Sequence, residues 1–331
     1  MAAALLSCSS ALAQDARAVN EEGKAALARG DFATARARFE AAAKAEPLNV
    51  KIQFNLGLAD LRMGQPRQAI TPLHNAAADP GLAAEAHYLL GAAYFESGEF
   101  GEVAPQLAGL EDSAHAEHVL FMLEESYRLT QRAAEARQAF HLLNSRFPDS
   151  PWVHYLMANA YENQAANEKA IDEYKAALVK DPKLPNANFA IGYIYFQEKD
   201  FEQATPWLRN ELSVQSCHTL AYYYLAEMAR AGGDANDAGR QYRRALACDD
   251  RNAKAHAGLG IVLAGLHRNE EAVRELQHAI RLDPGDASPH YRLAVLYREL
   301  GRKADAEAEY ARVKQINAAG QEPAAANLKG K

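Results

Sequence analysis

The chain has 331 residues, with 36 Lys and Arg against 43 Asp and Glu and a formal net charge of −7. Apolar residues make up 49% and charged residues 24%, a globular composition that excludes a disordered or collagen-like chain. The acidic balance speaks against nucleic acid as partner, because phosphate binding needs a clustered basic surface, and 70 alanines favour an all-helical chain.

Residues 1–13 read MAAALLSCSSALA, a small apolar stretch ending in Ala11-Leu12-Ala13 before the polar Gln14-Asp15. Ala-x-Ala ahead of a polar residue is the cleavage pattern of a secretory signal peptide, here without its positive leading region. This predicts an exported protein in a bacterial periplasm or outer envelope, or a cytoplasmic one if the pattern is misread. Leu5-Leu6-Ser7-Cys8 also has the form of a lipoprotein box, with a lipid anchor on Cys8 as the alternative. No later segment approaches the roughly 18 apolar residues of a membrane span.

From residue 16 onward the sequence repeats itself. Gly23, Gly57, Gly91, Gly192 and Gly260 share one phase with Ala158, Ala226 and Ala294. An alanine follows twelve residues after each of these except Gly91, where Val103 stands: Ala35, Ala69, Ala170, Ala204, Ala238, Ala272 and Ala306. A large apolar residue comes four further on: Phe39, Leu73, Leu107, Tyr174, Leu208, Tyr242, Leu276 and Tyr310. Repeats therefore begin at 16, 50, 84, 117, 151, 185, 219, 253 and 287, covering 16–320, with a tail at 321–331 that is expected to be disordered.

Within one repeat the apolar spacings of three and four predict two amphipathic helices and a turn. Gly30, Gly64, Gly98, Gly233 and Gly301 suit the left-handed residue that ends a helix, and Asp31, Asp200 and Asp234 stand where a side chain caps the next one. The small residues let two helices approach, and the large residue fills the groove between them. One such pair cannot bury its apolar face alone, so neighbouring pairs must stack.

This pattern resembles the tetratricopeptide repeat (TPR) family, seen most directly in Leu90-Gly91-Ala92-Ala93-Tyr94 and Ile191-Gly192-Tyr193-Ile194-Tyr195. The resemblance implies an all-α, right-handed α-solenoid of nine 34-residue helix-turn-helix units. Glu124 departs from it by replacing the small residue of the fourth repeat. That repeat also begins one residue early, after the segment 109–116, which predicts a local change of superhelix geometry. Pro72, Pro105 and Pro206 fall in second helices, where they need not break the assignment.

His87, His154, His256 and His290 recur at the fourth repeat position, which reads as packing rather than metal ligation. No metal site or cofactor is expected, and no nucleophile elbow, phosphate loop, HExxH or CxxC pair points to an enzyme. Cys217 precedes the first helix of the seventh repeat and Cys248 ends its second. Those ends are neighbours in an antiparallel pair, so a disulfide is predicted, with two buried thiols as the alternative.

In the TPR family the first helices line a concave groove. Carried onto this chain, the fifth position holds Phe54, Tyr88, Phe121, Tyr155, Phe189, Tyr223 and Tyr291, joined by Phe95, Trp152, Tyr193 and Phe196. Asn159 and Glu227 are among the polar groups beside them. Aromatics with polar tips anchor binding surfaces, although the family's habit of placing Tyr at this position explains the same stripe. The expected function is a non-catalytic scaffold binding an extended peptide or helix in this groove, in envelope complex assembly. The alternative is a carbohydrate-handling scaffold of a polysaccharide secretion system. The family's carboxylate clamp is not matched, since Phe54 and Leu58 stand beside Lys51 and Asn55.

Overall fold

A computed structural model of the chain describes the backbone of residues 2–328 and the side chains of residues 15–319. Among the described residues there are eighteen α-helices and one 3-10 turn, and no strand. The chain divides into two compact bodies, Met1–Val153 and His154–Lys331.

The first body pairs α1 (Ala2–Ala28) with α2 (Phe32–Ala45), α3 (Val50–Arg62) with α4 (Pro66–Ala76), and α7 (Ala116–Leu129) with α8 (Ala133–Arg146). Between them α5 (Ala83–Ser97) packs on the 3-10 turn Phe100–Glu102 and the short α6 (Val103–Leu107). Here the third repeat departs from expectation. Pro105 has no N–H to return to the preceding turn, and Gly101 and Gly109 flank it, so its second helix shrinks. The segment after it is pinned by Arg146, which donates to Glu111 O (2.6 Å) and contacts Asp112 Oδ1 (2.9 Å).

α9 (Pro151–Glu162) straddles the boundary between the bodies. The second body continues with α10 (Asn167–Lys180), α11 (Ala187–Gln197), α12 (Phe201–Val214), α13 (Thr219–Ala231) and α14 (Ala235–Cys248). It ends with α15 (Ala253–Gly265), α16 (Asn269–Leu282), α17 (Ala287–Glu299) and α18 (Lys303–Leu328). α18 runs beyond Gln321, where the sequence predicts a tail. Residues 2–13 fall in α1, but the side chains of Cys8 and of Ala11-Leu12-Ala13 lie outside the described residues.

The repeat phase is visible in the backbone. Residues with positive φ stand at the fifteenth position of each repeat: Gly30, Gly64, Gly98, Gln131, Ala165, Lys199, Gly233, His267 and Gly301. Asp31, Asp200 and Asp234 accept the N–H groups of Thr34, Gln203 and Asp237, which satisfies donors that a helix start leaves open. The core is made by the small-large pairs. A Cβ added to Gly91 would stand 2.3 Å from Leu107 Cδ2, and one added to Gly57 2.5 Å from Leu73 Cγ. Where Ala replaces Gly, the partner is tyrosine: Ala158 with Tyr174, Ala226 with Tyr242, and Ala294 with Tyr310.

Candidate functional site: an aromatic groove on the first helices

In the second body, Tyr155 and Asn159 of α9, Phe189, Ala190 and Tyr193 of α11, and His218 and Leu220 at the start of α13 line one cavity of about 370 Å³. Glu162, Tyr174 and Asn186 complete its wall. Four predicted groove residues, Tyr155, Asn159, Phe189 and Tyr193, are thus brought together.

Each is held by groups that the repeat pattern supplies. Tyr174 is almost wholly buried between α9 and α10, and its hydroxyl reaches through to the groove. There Asn159 Oδ1 at 2.5 Å and Glu162 Oε2 at 2.9 Å are the alternative acceptors of its one proton. The start of α11 has no local side-chain cap, because Asn186 is in the left-handed region. Glu211 of α12 does that work instead, accepting the N–H groups of Asn186 (3.0 Å) and Phe189 (3.1 Å). Burial pushes the Glu211 carboxyl up, and these two donors act against it.

His218 closes the cavity on the side of α13. Its Nδ1 accepts the Ala221 N–H at 3.1 Å, which puts the ring proton on Nε2, facing Asn186 Oδ1 at 3.1 Å. The ring stacks on Phe189 with centroids 4.6 Å apart. Burial lowers its pKa, so the imidazole is neutral at physiological pH. Its chain neighbour Cys217 is joined to Cys248, with Cα atoms 5.4 Å apart.

Further along the second body, Tyr193 and Phe196 pack on Tyr224 at 5.0 and 4.7 Å. Tyr223 lies against Tyr242 at 6.1 Å, and burial pushes its hydroxyl up to about 12. Glu227 is occupied by the Tyr242 hydroxyl and by Arg230. Tyr291 is 48% exposed and rests edge-on against Tyr310.

The first body holds a separate aromatic cluster. Tyr88 stacks on His115 at 3.8 Å, and its hydroxyl meets His118 Nδ1 at 2.9 Å. Burial, reinforced by His115, lowers the His118 pKa to about 4. Trp152 stacks on Phe121 at 3.9 Å, with Phe95 edge-on to Phe121 at 5.7 Å. Phe121 is only 5% exposed and packs within this cluster. Phe54 packs on the core formed by Ala69, Leu73, Leu90 and Ala93. Among the described residues, no three His, Cys, Asp or Glu side chains converge as a metal set, and no helix is long and apolar enough to cross a membrane.

The cavity residues missed in the sequence are Glu162, Tyr174, Asn186, His218 and Leu220. Tyr174 was visible as a packing residue, but only its hydroxyl makes it part of the site. Asn186 and His218 belong to inter-repeat loops whose course no periodicity gives.

The TPR sequence profile matches residues 20–59, 57–109, 155–213 and 263–331. The chain belongs to the tetratricopeptide repeat family. It is 40% identical over 87 residues to the TPR repeat-containing thioredoxin TTL4 of Arabidopsis thaliana, a match covering 26% of this chain and 12% of that protein. It is 26% identical over 148 residues to the TPR repeat-containing protein YpiA of Bacillus subtilis, covering 44% and 35%. The chain thus spans about an eighth to a third of these relatives. The APC/C hetero-tetramer Cut9–Hcn1 superposes with a TM-score of 0.60 at 14% identity, over 91% of this chain and 73% of that one, a likeness of fold. A TPR scaffold of this kind is suited to protein–protein interaction.

Proposed function

We propose that the protein is a non-catalytic scaffold that captures a partner polypeptide, as an extended segment or a helix, on the aromatic faces of its first helices. The observation that carries this reading is the cavity of the second body. Its rings are fixed before any ligand arrives, through Tyr174 on Asn159, Glu211 on the α11 N-terminus and His218 on Asn186. A pre-ordered surface loses little entropy on binding. The carboxylates and imidazoles beside it serve as caps and struts, which supports a binding role over catalysis.

The proposed setting is the cell envelope, in the assembly of a complex. The joined Cys217 and Cys248 support it, because disulfides persist in oxidising compartments, and so does the Ala-x-Ala pattern at 11–13. The test is capture from an envelope extract by the wild type and by Tyr155→Ala/Phe189→Ala/Tyr193→Ala, with helicity checked by circular dichroism. A partner retained by the wild type and lost by the folded triple variant supports the reading. Equal recovery by both overturns it.

A further inference from the structure

The geometry points to a Lys or Arg side chain of the partner polypeptide as the group that the cavity of the second body holds. This rests on the groove being a polypeptide site and adds the chemistry of its anchor. Three rings, those of Tyr155, Phe189 and Tyr193, stand in the wall, with Phe189 and Tyr193 nearly parallel at 6.0 Å. Aromatic faces carry negative potential, so a cation among them gains attraction that an alkyl group of the same length does not.

The charges in the wall agree with this. Glu162 is the one carboxylate in it among the described residues, and no Lys or Arg lines it. Glu162 Oε2 lies 2.9 Å from the Tyr174 hydroxyl, which places the carboxylate in the wall beside the rings. His218 is the only group there able to turn positive, and its bonding fixes it neutral: Nδ1 is spent on the Ala221 N–H and the proton sits on Nε2 toward Asn186. The wall therefore carries one sign of charge. An acidic side chain would find no counter-charge in it, whereas the long stem of Lys or Arg has apolar surface to lie on while its head meets Glu162. The net charge of −7 favours encounter with a basic segment.

The experiment uses the full chain labelled with 3-fluorotyrosine and four blocked pentapeptides, Gly-Ser-Xaa-Ser-Gly, with Xaa as Arg, Lys, norleucine or Glu. Fluorine resonances of Tyr155, Tyr174 and Tyr193, assigned by Tyr→Phe substitution, report occupancy. The Arg and Lys peptides are expected to bind about tenfold tighter than norleucine, and Glu162→Gln to narrow that preference about fivefold. Norleucine binding as tightly as Lys, a preference for the Glu peptide, or no shift with any peptide would overturn the proposal. A protein partner lost by the aromatic triple variant, together with norleucine binding as tightly as Lys, would defeat the cationic anchor and leave the scaffold reading intact.

Discussion

His256 Nδ1 lies 2.6 Å from Oε2 of Glu275, nineteen residues further on and across the helix pair. The same separation joins His87 to Gln106 (3.0 Å), His154 to Glu173 (2.7 Å) and His290 to Glu309 (2.5 Å). A histidine at the fourth position of a repeat is thus answered by Glu or Gln at the twenty-third, tying first helix to second. His256 and His290 are buried, and charge-assisted bonds in such places exceed surface pairs. A double-mutant cycle on His256→Ala and Glu275→Ala should give a coupling of about 1–2 kcal/mol in urea unfolding. Additive losses would show that the contact contributes nothing to stability.

Glu124 stands where the other repeats place Gly or Ala. It is 9% exposed, and its Oε2 has no hydrogen-bond partner. Burial, then the neighbouring Glu125, push its carboxyl up to about 7, with Arg128 acting in the opposite direction. The native state therefore holds a proton that the unfolded chain releases near pH 4.5. By linkage, stability should fall as pH rises from about 4.5 to about 7, by up to about 3 kcal/mol, and level off above. Glu124→Gln should flatten that slope and make the protein more stable than wild type at pH 8. Urea midpoints at pH 4.5, 6 and 8 provide the check, and identical pH profiles for the two proteins would contradict it.

The turns between paired helices offer a test of backbone strain. Ala165 has φ 56° and Lys199 φ 62°, where neighbouring repeats use glycine. A left-handed L-residue costs about 1–2 kcal/mol, partly offset by the flexibility that glycine adds to the unfolded chain. Ala165→Gly should therefore raise stability by about 0.5–1 kcal/mol. Gly91→Ala should lower it by about 1–3 kcal/mol, because the new Cβ would overlap Leu107 in a closed core. Thermal melts of the two variants should move in opposite directions.

How far this could be read beforehand differs from residue to residue. The turn glycines, the caps at Asp31, Asp200 and Asp234, and the small-large pairs follow from local rules, so the repeat pattern alone locates them. Gln106, Glu173, Glu275 and Glu309 also share one phase, but the histidine recurrence by itself reads only as packing rather than metal ligation, and the bond between the two positions depends on the helix pair. Glu211 was not legible: it caps a helix of the next repeat because Asn186 leaves that start open, and such a contact depends on the stacking. The register places Phe121 in the groove stripe, but the packing of Trp152 and Phe95 on it depends on how the repeats stack. Pro105 was judged harmless, whereas its two flanking glycines left α6 unable to absorb it.

Joining Cys217 to Cys248 closes a loop that includes His218 and all of α13. Cys217→Ser/Cys248→Ser should cost roughly 3–4 kcal/mol on the chain-entropy argument. It should also loosen the His218 wall, seen as broadened Tyr193 signals in the fluorotyrosine spectrum. Unchanged stability in the folded double variant would show that the helix pair holds these ends without the bond.

The central claim, that a partner polypeptide lies on the first-helix faces, is tested most directly by site-specific photo-crosslinking in cells. Benzoylphenylalanine would replace Tyr193 on α11, and in a second protein Asp172, an exposed residue of the second helix α10. The account predicts a discrete protein adduct from position 193 and none from position 172. Adducts from 172 alone, or the same adducts from both positions, would contradict it.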